Sequence, residues 1–266
     1  MFEEFLKERR YLNNVSEHTL EWYTLALKWL PNANPTEAEL KQMVIRMREK
    51  GLKARSINSY RTGINAYLHW MESPHRIPHM KCEQRLLPTF SMDDINKLIA
   101  WKPKQFYERR LHTLLLMLAD TGCRIDEVLT LKWTDVDFDN LLLTVTGKGN
   151  KQRRIPFSFE LRRHLFRFKH EHQLVFPTRE GKKLMRRNML RDAKRICRKL
   201  GIVPPVRTLH ALRHSFAIHY LRKGGSVFHL QKVLGHSSLE MTRRYANLMT
   251  EDLQKIHQQV SLLSPR

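Results

Sequence analysis

The sequence has few cysteines, no long apolar run and fewer acidic than basic side chains. Its 3 cysteines (Cys82, Cys123 and Cys197) are odd in number and widely spaced, which argues against a disulfide framework and against a cysteine-based zinc site. No apolar stretch approaches the ~18 residues of a membrane span, and the acidic N-terminus is unlike a secretory signal. These absences predict a cytoplasmic protein without a membrane partner.

The sequence has an excess of positive charge. In 266 residues, 48 Lys and Arg stand against 26 Asp and Glu, for a net charge of +22. Residues 1–80 carry 12 basic and 9 acidic side chains, whereas residues 81–266 carry 36 and 17. This imbalance favours a nucleic-acid partner, because each neutralised phosphate releases counterions. A merely solvated basic surface is the alternative.

The first part of the chain has the pattern of a small helical bundle. Apolar residues recur at helical spacing through residues 1–71, which predicts four short helices. One of them should open at a capping box formed by Thr36 and Glu39. A proline-containing, polar stretch follows and resists regular structure. We therefore expect three segments: a helical domain at 1–75, a linker at 76–90 and a second domain at 91–266.

The second domain combines helices with one β hairpin. Residues 111–119 predict an apolar helix that ends at Gly122. Residues 141–146 are rich in β-branched side chains and predict a strand, and residues 153–156 predict its return partner across a glycine-containing turn. The rest is helical in pattern. The predicted fold class is mainly α with a small β sheet or hairpin.

The stretch Thr-Gly-Cys-Arg-Ile-Asp-Glu contains the first candidate site residue, Arg124, at the start of a helix. A guanidinium there could bind a phosphate with two hydrogen bonds, and Glu127 one turn later could orient it. An ordinary surface ion pair is the alternative.

The hairpin turn carries the second candidate, Lys148, between two glycines. A lysine on such a turn could protonate a departing oxygen. Lys151 lies on the same turn and could substitute for it, and an exposed turn lysine without function is the alternative.

The stretch His-Ala-Leu-Arg-His places His210 and Arg213 three residues apart, so one helix face presents both as candidate anion donors. A basic helix face without a ligand is the alternative. His214, which follows directly, is interpreted as a structural or supporting histidine.

Two further candidates lie near the end of the chain. His236 follows a turn glycine and precedes a helix, where it could donate to a phosphate. Tyr245 lies on that helix; its phenol could act as a nucleophile if nearby cations activate it. Structural roles are the alternatives for both.

Each pattern is weak alone, but their order along the chain resembles that of the tyrosine recombinase, or phage integrase, family in its Xer-like two-domain form. That family shows Arg, Glu or Asp, a hairpin Lys, His-x-x-Arg, His or Trp, and then Tyr. The motif falls on Arg124, Glu127, Lys148, His210, Arg213, His236 and Tyr245. The resemblance covers essentially the whole chain and implies a SAM-like helical core-binding domain followed by an α+β catalytic domain.

The resemblance implies a DNA strand transesterification without cofactor or metal. The tyrosine would attack a phosphorus atom and leave a 3′-phosphotyrosine bond, which conserves the ester energy for rejoining. The two arginines would stabilise the transition state, the lysine would protonate the 5′ oxygen, and His210 could take the tyrosine proton. Glu127 would hold the site in shape.

The resemblance also implies partners. They are double-stranded DNA at a specific recombination site, a homo-tetramer on two such sites, and accessory DNA-bending proteins as further candidates, all at the nucleoid. A helix-patterned basic cluster would contact the DNA backbone. Its members are Lys182, Lys183, Arg186, Arg187, Arg191, Lys194, Arg195, Arg198 and Lys199. The segment 251–263 reads as an amphipathic helix that packs either on a neighbouring protomer or on its own domain.

Two alternatives remain open at the level of sequence. A type IB topoisomerase uses a similar residue set to relax supercoils, and a non-catalytic DNA-binding protein would need only the basic surface. The event itself is also open, whether integration, excision, inversion or resolution of a DNA element.

Overall fold

A computed structural model describes residues 2–82, 87–147, 151–236 and 238–246. The chain divides into two compact units, Met1–Arg85 and Leu86–Arg266. Each unit has an apolar core of its own.

The first unit consists of helices whose apolar faces meet in one core. They are α1 (Glu3–Tyr11), α2 (Glu17–Leu27), α3 (Glu37–Glu49) and α4 (Ala54–Trp70). Phe5, Met43, Ile57, Ile64 and Tyr67 are almost completely buried between them. The four expected helices are thus present, and the capping box opens α3: Thr36 Oγ1 accepts from the Glu39 amide, while the Glu39 carboxylate accepts from the Thr36 amide.

The two ends of the segment expected as a linker pack on different cores. Residues 75–82 form neither helix nor strand, but the Asn65 side chain pairs with the backbone N–H and C=O of Ile77. Ile77 is buried in the first core. Phe90 is buried in the core of the second unit, where its amide donates to Ser215 Oγ at 2.8 Å.

The second unit is mainly helical. Its helices are α5 (Met92–Ala100), α6 (Phe106–Thr121), α7 (Ile125–Thr130), α8 (Phe159–Phe168), α9 (Arg186–Lys199), α10 (Thr208–Arg222), α11 (Val227–Leu234) and α12 (Leu239–Ala246). A single 3₁₀ turn (Trp133–Asp135) leads into the sheet. None of the helices in the described ranges has the length and apolar character needed to cross a bilayer.

The second unit also contains a three-stranded antiparallel sheet in the order β1-β2-β3. The strands are β1 (Val136–Asp137), β2 (Leu142–Thr146) and β3 (Gln152–Pro156). The hairpin β2–β3 is the predicted one; β1 is too short to produce a pattern in sequence. The expected fold class, mainly helical with a small sheet, is confirmed.

Helix α6 lies at the centre of the second unit, with eight buried residues along its length. It ends at Gly122, whose φ of +63° is in the left-handed region. A Cβ there would lie 2.4 Å from the Phe216 ring and 2.9 Å from Leu234. Glycine therefore lets α6, α10 and α11 converge at one point, which is where the candidate site lies.

Candidate active site

Arg124 and Glu127 form one ion pair at the start of α7. Arg124 is the N-cap residue; its amide donates to Glu127 Oε2 at 2.8 Å and its Nη1 donates to Oε1 at 2.9 Å. Its Nη2 also reaches the carbonyl of Gly235 at 3.2 Å. About a third of the Arg124 side chain (34%) stays exposed, against 5% for Glu127. The carboxylate is therefore buried support, while the guanidinium keeps a face open to a ligand.

A second arginine, Arg153 on β3, grips the same carboxylate. Its Nη1 and Nη2 each donate to one oxygen of Glu127 at 2.9 Å, and its Nε donates to the Val233 carbonyl at 2.9 Å. Burial raises the pKa of the Glu127 carboxyl, but the hydrogen bonds and charges of Arg153 and Arg124 outweigh burial and bring it below its usual value. Glu127 is thus ionised and joins α7, β3 and the end of α11.

Arg213 is buried on α10, only 3% exposed, and is held by two backbone carbonyls. Its Nη1 donates to Gly122 O at 2.6 Å and its Nη2 to Leu234 O at 2.8 Å. Burial, with the nearby charge of Arg124, lowers its pKa to about 10, whereas Tyr245 acts in the opposite direction. The guanidinium remains charged at neutral pH, and both Arg124 and Tyr245 lie within reach of its field.

Two histidines flank the arginines. Burial, followed by the charges of Arg213 and Arg124, lowers the pKa of His236 to about 4. Burial and Arg213 also lower the pKa of His210. His236 Nδ1 lies 2.9 Å from Thr242 Oγ1 on α12. Both rings are therefore neutral at pH 7 in the absence of an anion, and each can offer one N–H.

Tyr245 lies on α12 with 3% of its surface exposed, in a small cluster with Ala217 and Leu234. Its ring is parallel to that of His236, with an interplanar angle of 7° and centroids 6.2 Å apart. Its hydroxyl lies 2.8 Å from Nδ1 of His214. The phenol oxygen is thus in contact with the histidine that the sequence analysis interpreted as structural or supporting.

Most of the residues singled out in sequence therefore meet in one region of the second unit. The structure brings together Arg124, Glu127, His210, Arg213, His236 and Tyr245. Lys148 lies outside the described residues, as do Ser237 and the segment 251–263. Lys151 is exposed at the turn end of the hairpin, where its carbonyl accepts from the Gly147 amide at 2.9 Å.

The basic cluster is helical only in part, and the expectation of one helix through all of it was wrong. Helix α9 begins at Arg186, whereas Lys183 pairs in an isolated bridge with Pro177 after a turn at Gly181 (φ +77°). Within α9 the buried face is apolar, and Met189, Ala193, Ile196 and Cys197 occupy it. The cations lie outward; Lys194 alone is half-buried.

Two features of the site were not foreseen from sequence. They are the presence of Arg153 beside Glu127 and the contact of His214 with Tyr245. The strand alternation contained a signal for the first, because Arg153 shares a strand face with the buried Ile155 and an inward arginine requires an acidic partner. The helical spacing contained a signal for the second, because His210 and His214 lie one turn apart. Among the described residues, no three His, Cys, Asp or Glu side chains gather as a metal site would require.

Comparison with known proteins agrees with this arrangement. The model of the phage integrase family matches residues 88–252. Tyrosine recombinase XerA of Pyrococcus furiosus is 32% identical over 95% of this chain and 91% of its own length. Tyrosine recombinase XerC of Xanthomonas campestris is 28% identical over 96% of this chain and 86% of its own.

Solved structures share the fold. The XerH site-specific recombinase bound to its palindromic difH substrate superposes with a TM-score of 0.73 at 20% identity, covering 99% of this chain and 84% of that one. A lambda integrase dimer bound to a core site gives 0.70 at 19% identity, with 91% and 93% covered. The chain belongs to the phage integrase family of tyrosine recombinases. It is accordingly an enzyme that cleaves and rejoins DNA strands.

Proposed function

We propose that the protein is a site-specific DNA recombinase in which Tyr245 attacks a phosphodiester and forms a 3′-phosphotyrosine intermediate. The observation that carries the proposal is the meeting of Arg124, Arg213, His236 and Tyr245 at the junction of α6, α7, α10 and α11. Their net charge is positive, and the neutral histidines add N–H donors. An anionic phosphate fits this combination.

The two arginines would have different tasks. Arg124 retains an open face and would grip a non-bridging oxygen directly, with Glu127 fixing its angle. Arg213 is fixed by two carbonyls and would present its remaining N–H groups from the floor of the site. Preorganised donors of this kind stabilise the pentavalent transition state, and losing one commonly costs on the order of 10²-fold in rate or more. The guanidinium groups supply the positive charge that other phosphoryl-transfer enzymes take from metal ions.

The histidines and the hairpin lysine would complete the reaction. Thr242 engages Nδ1 of His236, so Nε2 would face the phosphate. A bound anion would raise the pKa of His236 and His210 by direct attraction. Lys148 would protonate the departing 5′ oxygen, with Lys151 as the substitute. The phosphotyrosine bond keeps the energy of the cleaved ester, so rejoining would need no ATP.

The rest of the chain would bind and arrange the DNA. The first unit would act as the core-binding domain, the second as the catalytic domain, and the outward cations of α9 would contact the backbone. Arg186 lies close enough to His210 to lower the pKa of that imidazole, which connects this cation surface to the site. Recombination between two sites would require four protomers, and the segment 251–263 would supply a contact between them. Accessory DNA-bending proteins are candidate partners, and the reaction would take place at the nucleoid.

A covalent trapping experiment tests the proposal. Duplexes carrying a randomised central segment are selected for binding by the full-length protein, and the selected site is then remade with a nick beside each candidate scissile phosphate. The wild type should form a protein–DNA adduct that survives denaturation, and Tyr245→Phe should form none. Tyr220→Phe is the matched control, since Tyr220 packs against the same apolar cluster and should behave as the wild type.

Two outcomes would contradict the proposal. An adduct with Tyr245→Phe at the wild-type level would show that another residue is the nucleophile. Robust relaxation of supercoiled plasmid lacking the selected site would point instead to a type IB topoisomerase. Arg124→Ala and Arg213→Ala should lose the adduct yet keep most of the binding, because many other cations hold the backbone.

A further inference from the structure

The imidazole of His214 lies within hydrogen-bond distance of the reactive atom of Tyr245. Its Nδ1 lies 2.8 Å from the phenol oxygen, within the 2.6–3.2 Å reach of a general base. The contact joins two helices, α10 and α12, across 31 residues of sequence. It therefore depends on the fold and not on local spacing.

Two imidazole rings border the phenol in different ways. His236 lies parallel to the Tyr245 ring and uses Nδ1 for Thr242. His214 meets the hydroxyl itself, with ring centroids 5.7 Å apart and tilted by 47°. His210, one turn before His214, contacts that imidazole edge to face at 5.3 Å. The His214 contact is made at the atom that must lose a proton.

We propose that His214 aligns the Tyr245 hydroxyl and accepts its proton during DNA cleavage, a role that rests on the recombinase function proposed above. As the bond from Oη to phosphorus forms, the phenolic proton moves to Nδ1 of His214. The bond from phosphorus to the 5′ oxygen breaks, and that oxygen takes a proton from the hairpin lysine. Atoms and charges balance without an oxidant, reductant or metal, and rejoining reverses each transfer.

The surroundings of His214 fit this role. The titratable groups that face it include His210 on α10, His236 before α12, and Tyr245 on α12. The Arg213 cation near the phenol favours its ionised form, and the imidazole at the hydroxyl gives the proton a destination. His210 is then left to donate to the phosphate, so the two histidines of the His-x-x-Arg-His stretch divide the work.

The test is single-turnover cleavage of the nicked duplex by full-length protein across pH 5 to 9. The variants are His214→Ala and His214→Asn, since an asparagine oxygen can occupy the Nδ1 position and accept a hydrogen bond but takes no proton at these pH values. His219→Gln on the exposed side of the same helix is the matched control. Thermal unfolding and DNA affinity are measured for each variant.

The expected result has three parts. Both His214 variants slow adduct formation by about 100-fold or more, while DNA affinity stays within a few-fold of wild type. The fall of the rate at acidic pH, where a base becomes protonated, disappears in both. Added imidazole restores part of the rate of His214→Ala, because it can enter the vacated space, but does little for His214→Asn.

Other results would overturn the inference. Wild-type cleavage by His214→Asn would show that alignment alone matters and that the proton goes elsewhere. Faster cleavage by His214→Ala would show that the contact holds the tyrosine back. Slow cleavage with an unchanged pH profile and no imidazole effect would assign His214 a structural role. If Tyr245→Phe forms no adduct while both His214 variants cleave at the wild-type rate, the recombinase assignment is retained and only the role of His214 is rejected.

Discussion

Replacing Arg153 by methionine removes three hydrogen bonds at once from the support of the site. Two go to the Glu127 carboxylate and one to the Val233 carbonyl. Methionine fills most of the space of the arginine stem, so the change is mainly electrostatic. The Glu127 carboxylate would then remain buried with Arg124 as its charged partner.

The magnitude follows from burial. The side chains of Arg153 and Glu127 are 14% and 5% exposed, and removing one partner of a buried ion pair costs about 3–5 kcal/mol. Since Arg124 still contacts Glu127, we expect the lower end, about 3 kcal/mol. For a unit of this size each kcal/mol lowers Tm by about 2–4 °C, so the second unit should melt about 6–12 °C lower.

The assay is thermal and urea unfolding at pH 7, with a double-mutant cycle. Glu127→Gln alone leaves the Arg153 guanidinium without its charged partner Glu127. The double variant, Arg153→Met with Glu127→Gln, should therefore be more stable than the sum of the two single losses predicts, by about 1–3 kcal/mol. Arg163→Met is the matched control, because its pair with Glu160 is more than 60% exposed on both sides and should matter by less than about 1 kcal/mol.

The pH dependence gives a second check. The folded pKa of Glu127 is lowered, so the stability it supplies is present above its unfolded pKa of about 4.3 and is lost as pH falls through the folded value. The difference between wild type and Arg153→Met should therefore shrink in acid. A loss below about 1 kcal/mol at pH 7, or strictly additive variants, would refute the buried-pair argument.

Two further predictions concern catalysis and binding. Gly235→Ala places a Cβ 3.0 Å from the Arg153 guanidinium at a φ of +63°. Gly201→Ala has a similar φ of +68°, but its Cβ meets no atom of the described residues within 4 Å. Both variants should lose about 1–2 kcal/mol of unfolding free energy from backbone strain. Only Gly235→Ala should slow adduct formation, on the order of 10–100-fold. Equal rates for the two variants would contradict a role of the contact between residue 235 and Arg153. Changing Lys183, Arg187 and Arg191 together to glutamine should weaken DNA binding and reduce the slope of log affinity against log salt by about 2–3, with adduct formation intact at saturating DNA. An unchanged slope would remove α9 from the interface.

Sequence was sufficient where function depends on local spacing. The pairing of Arg124 with Glu127 followed from a helix start, because an N-cap residue and the third residue after it lie close together. The β2–β3 hairpin followed from its turn and its β-branched strands. The protein family could likewise be inferred from the order of the motifs along the chain, before any contact was known.

Sequence was insufficient where contacts cross between elements. Whether Arg153 meets Glu127 depends on how β3 approaches α7, 26 residues away in sequence. The start of α9 was set by the bridge between Pro177 and Lys183, which overrides the helical pattern of charges before Arg186. The contact between His214 and Tyr245 depends on where α12 packs against α10, and no local sequence pattern specifies that.

The way Arg213 is held has a consequence for the charge that a DNA phosphate would meet. Its two carbonyl partners are the glycine that ends α6 and the last residue of α11, so the guanidinium sits where two helix dipoles end in partial negative charge. These dipoles stabilise the cation through neutral carbonyl groups, while the Glu127 carboxylate is hydrogen-bonded to Arg124 and Arg153. A lysine in place of Arg213 would keep the charge. Its ammonium group, however, lacks the planar, forked shape with which a guanidinium bonds two separate carbonyls and still directs other N–H groups elsewhere. The site thus keeps a buried positive charge whose hydrogen-bond partners are neutral carbonyls, ready for an anion that arrives with the substrate.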